Sequence, residues 1–93
     1  MKTIDQLVRQ FANSIPSDIP RPEAKIIDQL AAIYWKYPGA SIFTTIHDNG
    51  DILFSQWDAS GVPIRIGSAE ASDTFPPELE SMIRDAMREN SAQ

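Results

Sequence analysis

Apolar residues recur at intervals of three and four along the first half of the chain, and this spacing puts them on one side of an α-helix. The first such stretch predicts a helix over residues 3–14. Three prolines then predict a stiff connector over residues 15–22, because proline fixes φ and disfavours helix in the residue before it. The second stretch predicts a helix over residues 22–36 that ends at Pro38 and Gly39. Its apolar side comprises Ile26, Ile27, Leu30, Ile33, Tyr34 and Tyr37.

Trp35 lies outside that apolar side if the segment is helical. It then shares the opposite side with the small residues Ala24 and Ala31. Either another helix packs on this second side, or Trp35 is exposed as an anchor for a partner, since tryptophan is enriched among residues that dominate binding. Internal packing is the favoured interpretation of the two.

The middle of the chain carries the pattern of a β-hairpin. Residues 41–48 and 51–57 are rich in β-branched and aromatic side chains, and they flank Asn49 and Gly50, a pair typical of a two-residue hairpin turn. A further turn over residues 58–61 precedes a predicted third strand at 62–66. Pro76 and Pro77 then open a last helix over residues 76–90, because proline fits the first turn of a helix.

These elements predict an α+β fold with the order α-α-β-β-β-α. Residues 1–93 form a single domain in this prediction, which suits the length of the chain. Its centre is a three-stranded antiparallel meander, with the helices packed on the apolar face of the sheet.

The two-residue turn also predicts the register of the hairpin. Asp48 then lies opposite Asp51 and Ile46 faces Leu53, so Leu53 and Trp57 lie on the core side, where Ile66 of the third strand joins them. The second face of the sheet carries two phenylalanines and an isoleucine, which is unusually apolar for a solvated face. Two interpretations stay open: either a helix covers this face, or a partner binds it. The predicted partner-binding residues are Phe43, His47, Ile52, Phe54 and Arg65, together with Trp35.

Composition narrows the classes of function. The chain has 93 residues, one histidine and a net charge of -5. It has no cysteine, so disulfides, thiol catalysis and the usual structural zinc sites are excluded. Residues 48–93 carry a net charge of -6, which argues against nucleic acid as a partner and suits a protein with a basic surface. Ordinary solvation of the surface explains the same charge. No metal site and no cofactor are predicted.

One group of residues suggests chemistry. His47 could act as a base beside Asp48 or Asp51. Adjacent strand residues point to opposite faces, however, and the run from Asp48 to Asp51 lacks the ligand spacing of a calcium loop. We therefore assign no catalytic residue.

The sequence predicts a small acidic, non-catalytic protein-binding module. It has neither the apolar stretch of a signal peptide nor that of a membrane span, so a cytoplasmic location is expected. Its size, its acidity and its lack of catalytic motifs suit an inhibitor, an immunity protein or an accessory factor of the kind that phages and other mobile elements carry. Two alternatives stay open: a small enzyme or ligand-binding domain that uses His47, and a self-associating structural subunit such as a homodimer.

Overall fold

Two helices and one five-stranded antiparallel sheet make up the fold, which confirms the predicted α+β class. We describe residues 2–37 and 40–91 from a computed structural model of the chain. The strands follow one another across the sheet in the order β1-β2-β3-β4-β5. The elements are α1 (Ile4–Ser14), β1 (Glu23–Ile27), β2 (Leu30–Tyr37), β3 (Ala40–His47), β4 (Asp51–Asp58), β5 (Pro63–Glu70) and α2 (Pro77–Ser91).

The predicted helix over residues 22–36 is wrong, because this segment forms the β1–β2 hairpin. Asp28 takes a left-handed φ of 55° in the turn, a conformation that aspartate tolerates better than most residues. Ile27 pairs with Leu30 across it, so the sheet has five strands and not three. The predicted helix end at Pro38 and Gly39 lies outside the described residues.

The predicted register of the β3–β4 hairpin is also wrong, by one residue. The loop holds three residues and not two, since the Gly50 amide donates to the His47 carbonyl at 3.0 Å and Gly50 has a φ of 94°. Ile46 therefore pairs with Ile52 and not with Leu53. A one-residue slip moves every side chain of a strand to the other face, so β4 is reversed relative to the prediction.

The remaining predicted elements are present with different bounds. Helix α1 begins with the expected capping box, in which Thr3 and Gln6 each accept from the other's backbone amide. Strand β5 runs to residue 70 and not to 66, and it forms an edge of the sheet, where Pro63 is tolerated.

Both helices pack on the same face of the sheet, here called the covered face. Their apolar residues join those of β2, β3 and β4 in one core cluster. Phe11 of α1 contacts Trp35 and Phe75 with ring centroids 6.0 and 5.3 Å apart. The Trp35 indole N–H donates to the Pro20 carbonyl at 3.2 Å, so this side chain is fixed inside the fold.

Candidate functional site

The face of the sheet opposite the helices is here called the open face. In the part of the chain that the structure describes, no helix or loop packs across it. Strand register assigns its side chains, since alternate residues of each strand point to the same side. The open face comprises Glu23, Lys25 and Ile27 of β1, Leu30, Ala32, Tyr34 and Lys36 of β2, Ser41, Phe43, Thr45 and His47 of β3, Asp51, Leu53, Ser55 and Trp57 of β4, and Ile66, Ser68 and Glu70 of β5.

Five large apolar side chains lie at the centre of the open face and are here called the apolar patch: Tyr34, Phe43, Leu53, Trp57 and Ile66. Tyr34 and Phe43 are cross-strand neighbours with ring centroids 4.9 Å apart. Leu53 is 48% exposed and Ile66 is 75% exposed. A groove of about 400 Å³ runs between Phe43, Leu53, Trp57 and Ile66.

The structure separates the six predicted partner-binding residues. Phe43 and His47 lie on the open face, where their predicted role in binding stays a prediction. Ile52, Phe54 and Trp35 are each 2% exposed and belong to the core beneath the helices. Ile52 and Phe54 lie on the covered face because of the register slip in β4, and Trp35 lies there because residues 30–37 form a strand and not a helix. These three residues are therefore on the opposite side of the sheet from Phe43 and His47.

Arg65 also lies on the covered side of the sheet. Its guanidinium donates to the Asp85 carboxylate of α2 at 3.0 Å, and Asp85 in turn pairs with Arg88. Arg65 therefore links edge strand β5 to α2 and does not stand beside Phe43.

Sequence reasoning missed the apolar patch because it assigned Leu53, Trp57 and Ile66 to the core. Residues 52, 54 and 56 of β4 include two large apolar side chains, and so do residues 53, 55 and 57. Hydrophobicity therefore does not distinguish the two faces of this strand, and the length of the turn decides. The sequence feature that indicates the longer loop is Asp51 after Asn49-Gly50. The Asn49 side chain accepts from the Asp51 backbone amide at 3.0 Å and so stabilises a three-residue loop.

Charges of opposite sign lie at the two margins of the open face. Lys25 and Lys36 lie on the β1–β2 side, where Lys36 is 3.9 Å from the Glu23 carboxylate. Asp51 and Glu70 are cross-strand neighbours on the β4–β5 side. One margin is therefore net basic and the other is acidic.

His47 lies at the end of β3 on the open face. Its Nε2 atom is 3.2 Å from the Thr45 hydroxyl, whereas the Asp51 carboxylate accepts from the side-chain Nδ2 of Asn49 at 3.1 Å. The imidazole thus has a hydroxyl neighbour rather than a carboxylate. Among residues 2–37 and 40–91, no three His, Asp or Glu side chains are grouped closely enough to hold a metal ion.

Two carboxylates hold loops that frame the sheet. The Asp58 carboxylate accepts from the Val62 amide and from the amide and hydroxyl of Ser60, and these hydrogen bonds lower its pKa. The Asp18 carboxylate accepts two hydrogen bonds from Arg84 of α2, which lower the pKa of Asp18 and raise that of Arg84. These hydrogen bonds hold the two loops in place.

Burial raises the pKa of the Tyr37 phenol at the end of β2. Tyr37 packs against the core cluster on the covered side of the sheet, so it adds no ionised group to the open face. The chemistry that the open face offers is therefore apolar contact at the centre and charge at the margins.

Neither α1 nor α2 combines the length and the apolar composition that a helix needs to cross a membrane. Comparison of the chain with protein-family models, with curated proteins and with solved structures found no match in any of the three.

Proposed function

We propose that the chain is a small, non-catalytic protein-binding module that contacts its partner through the open face. The observation that carries this proposal is the apolar patch, which the described part of the chain leaves uncovered. Monomeric proteins rarely expose contiguous apolar patches larger than a few hundred Å², and larger ones mark interaction sites.

The composition of the patch supports a protein as the partner. Tyr34 and Trp57 are residue types enriched at interfaces, and the centre of the patch carries no charge. All five side chains stand on paired strands, so binding does not require the backbone to become ordered. The groove on this five-stranded face is open rather than enclosed, which suits another protein surface better than a small ligand, because small ligands are usually held in a concave pocket.

A protein that acts by contact alone fits the roles of inhibitor, immunity protein or accessory factor. A basic partner surface would meet Asp51 and Glu70 at the acidic margin, where the pair adds specificity and association rate more than affinity.

The test uses two lysine substitutions of similarly exposed apolar residues on the same sheet. Leu53→Lys places a charge in the apolar patch, whereas Ile26→Lys places one on the other side of edge strand β1, where Ile26 is 44% exposed. A partner captured from the native host with the unaltered chain is identified and purified, and its dissociation constant is measured with each variant. We expect Leu53→Lys to weaken binding by about 30-fold or more, as at an interface hot spot, and Ile26→Lys to change it less than about twofold.

Equal affinity of the Leu53→Lys variant and the unaltered chain for the identified partner would contradict the proposal. Thermal unfolding of both variants is the control, because both positions are half exposed and a lysine at either should leave the fold intact.

A further inference from the structure

We infer that the protein docked on the open face is a second copy of this chain, related by a two-fold axis parallel to β3. This inference rests on the proposed use of the open face in protein binding. The two sheets then stack face to face as in a β-sandwich, with their strands roughly aligned. Such an axis puts β2 of one copy over β4 of the other, β1 over β5, and β3 over β3.

Side-chain sizes along the strand register match this arrangement. One row across the sheet runs through Ala32, Thr45 and Leu53, so the small Ala32 of one copy lies over the large Leu53 of the other. The next row runs through Tyr34, Phe43 and Ser55, so the large Tyr34 lies over the small Ser55. Alternation of large and small residues across facing positions is what lets two layers interdigitate without voids.

The charges at the margins match the same axis. With β1 of one copy over β5 of the other, Lys25 lies over Ser68 and one row from Glu70, so these two opposite charges are diagonal neighbours across the interface. A two-fold axis across the strands would instead put β1 over β1 and β5 over β5, so Lys25 of one copy would lie far from Glu70 of the other. The row that contains Lys36 also contains Trp57, so the axis parallel to β3 places an ammonium group over an indole ring of the partner copy.

The area of the open face is sufficient for a weak dimer. Four strands of eight residues and one of five, spaced ~4.8 Å apart at ~3.3 Å per residue, cover roughly 600 Å² per copy. Two copies together bury about 1,200 Å², which is the lower end of specific interfaces. We expect a dissociation constant of about 1 to 100 μM, as for a weak association whose interface is at the lower end of the size range.

Sedimentation equilibrium of the purified chain tests the inference. We expect the mean mass to rise from the 10.4 kDa of one chain towards twice that value between ~1 μM and ~1 mM protein. Leu53→Lys should weaken dimerisation by about 30-fold or more, because by symmetry it introduces two charges in one interface, and Ile26→Lys should change it less than about twofold.

A charge exchange tests the axis. Lys25 and Glu70 lie on opposite edges of the sheet, about 19 Å apart by strand spacing, so any coupling between them acts across two copies. Lys25→Glu and Glu70→Lys should each weaken dimerisation by about tenfold, and the variant with both changes should recover most of that loss.

A chain that stays monomeric at ~1 mM, an unaltered dimer in Leu53→Lys, or a double charge variant no tighter than the single ones would each overturn the inference. These failures are distinguishable from failure of the proposed function. A monomer whose binding to an identified host protein is still lost in Leu53→Lys leaves that function standing. Both proposals fail if Leu53→Lys and Ile26→Lys behave alike in both experiments.

Discussion

Phe54 and Phe43 are aromatic residues of adjacent strands that the structure places on opposite faces of the sheet. Phe54 lies in the core and is 2% exposed, with its ring over Gly67 of β5. Phe43 lies half-buried in the apolar patch and contacts Tyr34. Substitution of each by alanine therefore separates a structural role from a role at the surface.

Phe54→Ala should lower the free energy of unfolding by about 3 to 5 kcal/mol. The change removes a fully buried ring and leaves a cavity beneath the helices. The lost burial of the ring and the cost of the cavity both lower the free energy of unfolding. A chain of 93 residues is expected to have a total stability of only about 5 to 14 kcal/mol, so the loss is a large fraction of it.

Phe43→Ala should cost about 1 to 2 kcal/mol. Only part of the ring is removed from water in the folded state, the ring pair with Tyr34 contributes about 0.5 to 1.5 kcal/mol, and no enclosed cavity forms because the position opens to solvent.

Urea denaturation followed by far-ultraviolet circular dichroism measures both losses. With a urea dependence of about 1.5 kcal/mol per molar, Phe54→Ala should lower the midpoint by about 2 to 3 M and Phe43→Ala by about 1 M. The measurement is made at low protein concentration so that association does not contribute. Equal midpoints for the two variants, or a larger loss for Phe43→Ala, would refute the assignment of faces.

Three further substitutions test particular contacts by the same urea assay. Gly67→Ala should destabilise by about 1 to 3 kcal/mol, because a methyl group there would collide with the Phe54 ring and lie 2.8 Å from the Glu78 carboxylate; unchanged stability would contradict the close approach of the ring. Thr44→Val should stabilise by about 1 kcal/mol, because the Thr44 hydroxyl is buried and has no hydrogen-bond partner among the described residues; destabilisation would show that it has one. Asp58→Asn should lower stability at pH 5 but not at pH values well below 4. The lowered pKa of Asp58 stabilises the fold above its ordinary value of 3.8, and this contribution is lost as pH falls through the lowered folded pKa; a pH-independent difference would contradict it.

The existence of the β3–β4 hairpin followed from the sequence, whereas its face assignment did not. Asn49 and Gly50 marked the turn, but a two-residue and a three-residue loop differ by one position of register. Since both faces of β4 carry large apolar side chains, no burial pattern was left to choose between them. The loop length sets which side chains of β4 share a face with Phe43 and His47. Of the six predicted partner-binding residues, only these two lie on the open face.

The segment from residue 22 to 36 was misassigned because its apolar residues fit both periods. Ile26, Ile33 and Tyr34 recur at helical spacing, yet alternate residues Ala31, Ile33 and Trp35 are the ones buried in β2. The turn between β1 and β2 contains no glycine, and a single aspartate, the left-handed Asp28, is a weak sequence signal for a turn. In contrast, the capping box of α1 and the prolines before α2 are local signals, and both helices were predicted within one or two residues.

Photo-crosslinking from the open face tests the central claim most directly. A benzophenone amino acid replaces Leu53 in one sample and Ile26 in a control sample, and each chain is irradiated both alone and in extract of the native host. The expected result is a covalent adduct with a second protein, a copy of the chain or a host partner, from position 53 and little from position 26. Adducts of equal yield from both positions, or none from position 53, would contradict the assignment of the open face as the contact surface.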